Sequence, residues 1–82
     1  MTAERIVYLV NAGAYLEVRS RLKRLSLKDR LPTLWETTPY VNSTPECLHF
    51  FRENFALELG ALMMAKGDFE KAEKLYNQAK ER

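Results

Sequence analysis

Thiol and imidazole are scarce in this chain: Cys47 is the only cysteine and His49 the only histidine. A lone cysteine excludes an intramolecular disulfide, and the two residues fall short of a four-ligand Cys/His metal site within one chain. No metal or other cofactor is expected. Long apolar runs are missing too. Nothing approaches the roughly 18 consecutive apolar residues of a membrane span, and the run at residues 6–10 is too short for the apolar stretch of a secretory signal. A cytoplasmic setting is the default expectation. Breakers are few, with three glycines and three prolines in 82 residues, and Pro32, Pro39 and Pro45 all fall in one stretch.

What remains is an ordinary globular composition, 46% hydrophobic and 29% charged, which argues against a disordered tail. The length allows one domain, residues 1–82. A chain of this size buries only about 60% of its unfolded surface, so stability of a few kcal/mol is expected unless a partner adds to it. Charge is unevenly spread. Residues 1–31 hold Arg5, Arg19, Arg21, Lys23, Arg24, Lys28 and Arg30 against Glu4, Glu17 and Asp29, while acidic residues outnumber basic ones in the remainder. Such asymmetry can steer an acidic partner.

Apolar residues recur at helical spacing on both sides of the proline-containing stretch, and strand alternation is absent. Thr2 can cap a first helix through Ile6, Leu9 and Val10. Gly13 breaks it, and a second helix carries Tyr15, Val18, Leu22 and Leu25. Residues 43–46 read as a strong helix start: a hydroxyl cap, Pro45 where a missing N–H does no harm, and Glu46 placed to close a capping box with Ser43. The third helix is expected to run from there to about Lys66. Gly67 follows as a C′ residue able to take positive φ, and Asp68 as the N-cap of a fourth helix. The fold class is therefore all-α, with about four helices in two antiparallel hairpins, residues 2–28 and 45–82. A Pro/Thr-rich connector over residues 29–44 joins them. A short turn around residues 31–36 is compatible with this, and Trp35 should pin the connector to the core.

Within residues 53–82, Leu59, Gly60, Met63, Gly67, Asp68, Phe69, Ala72, Tyr76 and Ala79 stand in register with the pattern of the tetratricopeptide repeat, and this segment resembles that family. Ala56 departs from it, since a large residue is usual there. The intervals of Gly67, Phe69, Ala72, Tyr76 and Ala79 recur in degenerate form at Gly13, Tyr15, Val18, Leu22 and Leu25. The two copies are spaced more widely than the family's usual period of about 34 residues. Small residues at Gly60 and Ala72 would let the two helices approach at the short end of the ~8–10 Å range, with Phe69 and Tyr76 filling the adjoining space.

The resemblance implies a protein–protein interaction module, an adaptor or chaperone-like subunit, whose concave face grips another polypeptide. Residues implied on that face are Asn54, Leu57, Ala61 and Met64 in the second hairpin, and Ala3, Val7 and Val10 in the first. Only Asn54 matches the polar set with which some members clamp a terminal carboxylate. An apolar helix or extended segment of a partner, or a second copy of the chain, is the implied ligand. The rival reading is a small nucleic-acid-binding or regulatory protein using Arg19, Arg21, Lys23 and Arg24. It lacks a recognition-helix pattern, and Val18, Leu22 and Leu25 take up one side of that helix. An enzyme is not expected. Cys47 and His49 lie two apart at a helix start with no third group to orient them, and the carboxylates are scattered singly among lysines.

Overall fold

The computed structural model describes residues 3–41 and 44–81, and these form six α-helices with no strand. They are α1 (Ala3–Asn11), α2 (Tyr15–Arg24), α3 (Leu27–Val41), α4 (Pro45–Asn54), α5 (Ala56–Ala65) and α6 (Phe69–Lys80). None is long and apolar enough to cross a membrane. The expected caps at Thr2 and Ser43 lie outside the described residues. The α4 cap is Thr44, whose hydroxyl oxygen accepts from the Cys47 N–H at 3.2 Å, with Pro45 in the first turn.

Six helices replace the expected four for two reasons. First, residues 29–44 are not a connector: most of them belong to α3, the longest helix. Pro32 and Pro39 sit inside it, and each removes a donor from the helical ladder. Threonine hydroxyls stand beside both. Thr33 donates to the Asp29 carbonyl at 2.9 Å, and Thr37 and Thr38 donate to the Leu34 carbonyl at 2.8 and 3.1 Å. The start of α3 is marked by Ser26, whose hydroxyl donates to the Asp29 carboxylate at 3.1 Å and whose carbonyl accepts from the Arg30 N–H at 2.8 Å. The turn anticipated at residues 31–36 is thus part of a continuous helix.

Second, the helix expected over residues 45–66 is interrupted at Phe55, which adopts φ −134°, ψ 36°. Its N–H still donates to the Phe51 carbonyl at 2.8 Å, and its carbonyl accepts from the Leu59 N–H at 2.9 Å. The chain therefore turns without stranding a backbone group of Phe55. Asn54 turns its side-chain amide back onto the Phe50 carbonyl at 2.9 Å, a local bond that favours helix ends. In exchange, the Phe55 ring is fully buried, 6.2 and 6.1 Å from the rings of Phe50 and Phe51.

The other joints are glycine turns. Gly13 (φ 76°) ends α1, and the following Ala14 N–H reaches back to the Leu9 carbonyl at 2.9 Å. At the α5–α6 turn Lys66 (φ 54°) and Gly67 (φ 86°) are both left-handed, and Gly67 donates to the Leu62 carbonyl at 3.2 Å. Asp68 then caps α6 by accepting from the Lys71 N–H at 3.2 Å. Gly67 has a second constraint. A Cβ there would stand 3.0 Å from Cε2 of Trp35, whose indole lies against the turn.

One core is shared by all six helices, from Ile6 and Leu9 of α1 through Val18, Leu31 and Phe51 to Leu62 and Ala72. Arg30 ties three of them together. Its Nε donates to the Leu22 carbonyl at 3.0 Å and its Nη2 to the Leu25 carbonyl at 2.9 Å, while Nη1 meets Oε2 of Glu58 at 3.0 Å. The Leu22 carbonyl also accepts from the Leu25 N–H at 3.2 Å, so Arg30 adds a second donor there, and the Leu25 carbonyl lies just past the last turn of α2. Glu58, on α5, is 4% exposed and Arg30 is its ion-pair partner.

The close approach expected at Gly60 is a correction. Ala72 is fully buried, but a Cβ built on Gly60 meets nothing within 4 Å. Gly60 faces open space beside the hairpin, so no neighbouring backbone required its small size. Phe69, expected to fill that space, is instead 37% exposed.

Gly60→Ala should stabilise by about 0.5–1 kcal/mol, the helix-propensity difference, whereas Gly67→Ala should cost more than about 1 kcal/mol through positive φ and the Trp35 contact. Chemical denaturation of both variants gives the opposite signs. Arg30→Met leaves Glu58 buried without its counter-charge and should cost about 3–5 kcal/mol, enough to abolish the cooperative thermal transition of so small a domain.

Candidate functional site

The sequence of α5 places apolar or small residues on its outer side as well as its inner one. Glu58, Ala61, Leu62 and Ala65 are buried, yet Leu57 and Met64 are 46% and 68% exposed. Leu57, Gly60, Ala61 and Met64 follow the i, i+3, i+4, i+7 spacing of one helix face. Across from them α6 presents Leu75, Gln78 and Ala79, and together with Ala56 these residues line a groove of about 280 Å³. Short side chains explain why it is open. Ala56, Gly60, Ala61 and Ala79 are too small to fill the space between the two helices, and among the described residues only α5 and α6 line it. Gln78 is the only polar side chain among the lining residues.

Of the residues implied by the repeat resemblance, Leu57, Ala61 and Met64 come together in this groove. Asn54 does not join them, because its side chain is turned onto the Phe50 carbonyl. In α1, Val10 belongs to the core at 8% exposure, and Ala3 and Val7 are half-buried. Val10 borders a different, shallow recess with Tyr15, Thr44 and Cys47. The two expected half-sites therefore do not form one continuous face. Leu75 and Ala79 complete the groove, and their helical spacing in α6 was the available signal for them.

The basic residues of α2 are dispersed. Arg21 is engaged by Glu17 one turn away, at 2.7 Å from Nη2 and 2.9 Å from Nε. The Lys23 ammonium stands 5.2 Å above the centre of the Phe55 ring, a cation–π contact. Arg19 and Arg24 are exposed, and Arg30 has been drawn inward to Glu58. Leu16, 82% exposed, interrupts the charged surface of the helix.

Cys47 and His49 are separated by the fold. Cys47 is 1% exposed in the core, and burial pushes its thiol pKa up. The thiol is therefore protonated at neutral pH, the opposite of what a nucleophile needs. His49 lies outside, with Nε2 3.1 Å from Oε2 of Glu53.

Comparison with models of known families, with curated proteins and with solved structures gives no match for this chain.

The burial of Cys47 is directly measurable. Under native conditions at neutral pH, a thiol-reactive dye should modify it at least about tenfold more slowly than an unfolded cysteine. The rate should rise through the same denaturant range as the loss of helical signal. A native rate matching that of a free thiol would contradict the placement.

Proposed function

We propose that this chain is a protein–protein interaction module, an adaptor or chaperone-like subunit, in which α5 and α6 act as a tetratricopeptide-like hairpin. The groove between them takes the apolar face of a partner's helix or extended segment, or of a second copy. The observation that carries this reading is the groove itself: Leu57 and Met64 remain well exposed beside a recess floored by glycine and alanine. Exposed apolar surface of this kind is retained where something binds. Its period matches the spacing with which one helix lies against another, and the thioether of Met64 adapts to varied contacts. A cytoplasmic setting belongs to the same proposal.

Nucleic-acid binding by α2 draws less support. Two of its four basic side chains are occupied locally, by Glu17 and by the Phe55 ring, and an exposed leucine stands among the others.

Leu57→Asp and Met64→Asp test the proposal. Both residues are exposed, so each change should alter stability by no more than about 0.5 kcal/mol. The wild-type chain should either self-associate with rising concentration or retain a specific protein during native purification, and both variants should lose that property. Sedimentation analysis paired with mass spectrometry of the co-purified material reads the outcome. A strict monomer, with no retained protein that distinguishes it from the variants, would overturn the reading.

A further inference from the structure

A second recess, separate from the groove, opens where α3, α4 and α5 meet. Its volume is about 120 Å³, with walls from Trp35, Leu48, Leu59 and Met63 and with Leu62 at its floor. Its only charged lining residue is Arg52, and its only hydroxyl belongs to Thr38. The Thr38 hydroxyl already donates to the Leu34 carbonyl at 3.1 Å, which leaves Arg52 as the charged donor of the recess.

Arg52 differs from Arg19 and Arg24, which likewise pair with no carboxylate among the described residues, in that it borders an apolar recess. Arg21 and Arg30 each have a carboxylate, and Glu53, next to Arg52 in the chain, is taken by His49. Arg52 pairs with no carboxylate among the described residues. One wall is also fixed, because the Trp35 indole is pressed against Gly67. Met63, by contrast, is 72% exposed and unbranched, able to fold over whatever enters. An enclosed apolar cavity of about 150 Å³ accommodates a benzene ring, so this smaller, partly open recess admits one ring or a short branched chain.

The geometry points to a binding site for a small free monocarboxylic acid with a single compact apolar group. The group sits between Trp35 and Met63, and the carboxylate accepts from the Arg52 guanidinium. The charge complementarity selects an acid over its neutral or cationic counterparts. This site is independent of the α5–α6 groove and of the function proposed for it.

Trp35 is the only tryptophan, so its indole N–H gives one assignable resonance on a ring that walls the recess. Titration with phenylacetate should shift it saturably, with Kd on the order of 1 mM for so small a ligand. Phenylacetamide should bind about fivefold more weakly, the discrimination expected of an exposed guanidinium, and phenethylamine more weakly still. Arg52→Gln should bring phenylacetate to the level of the amide, with the helical signal retained. Leu57→Asp, in the groove, should leave the titration unchanged. A tetrapeptide ending in phenylalanine tests whether a polypeptide terminus is the true occupant. Binding of the peptide without the free acid would overturn the proposal. So would equal binding of acid and amide, insensitivity to Arg52→Gln, or no saturable shift.

Discussion

The structure depends on where the Arg30 guanidinium goes. It sits at the start of α3, collects two carbonyls from the C-terminal end of α2 and pairs with Glu58 on α5, 28 residues later in the chain. Each contact answers a separate electrostatic need. A helix end carries spare carbonyl acceptor capacity, and a buried carboxylate lacks water. One planar side chain with its donors in a fixed fork meets both needs in a way that a lysine could not. A buried pair of this kind need not exceed a well-packed apolar contact in energy. Its value here is geometric, since it fixes which turn of α5 faces α3 and hence which residues α5 leaves outside.

That choice creates the groove. With Glu58, Leu62 and Ala65 turned inward, the same helix must present Leu57, Gly60 and Met64 elsewhere. α6 packs alongside and contributes Leu75, Gln78 and Ala79 to the same strip, so the space between the helices stays open. The apolar surface is thus a consequence of burying a charge on one side of a short helix whose other side is also hydrophobic. The recess beside Trp35 lies on another side of α5, where α3, α4 and α5 meet.

Much of this was legible in the sequence, and the gaps have physical causes. The helical class, the turns at Gly13 and Gly67 and the cap at Asp68 rest on local rules, which act over a few residues. Helix α3 was not legible, because Pro32, Pro39 and the threonines carry the composition of a connector. In the folded helix the same threonine hydroxyls donate to the Asp29 and Leu34 carbonyls about one turn back, partners that a helical backbone brings within reach. The break at Phe55 has no glycine or proline to announce it, and Asn54 is its only polar hint. Gly60 was ambiguous in principle. A missing side chain serves close packing and open space equally well, and only the position of the neighbouring helix decides. Arg30 read as one of a basic cluster, and nothing local links it to Glu58. In the groove, the spacing of Leu57, Ala61 and Met64 was visible, whereas the inward turn of Asn54 required the backbone.

The non-helical residue between α4 and α5 has a consequence for how this chain tolerates change. In one continuous rod, inserting a residue rotates everything downstream by about 100° relative to what came before. Phe55 decouples the two segments. Each helix selects its inward side by its own contacts, α4 through the aromatic cluster and α5 through the buried carboxylate. Length variation near the junction can therefore be absorbed as a local change of direction, while the angular phase of the α5–α6 unit is kept.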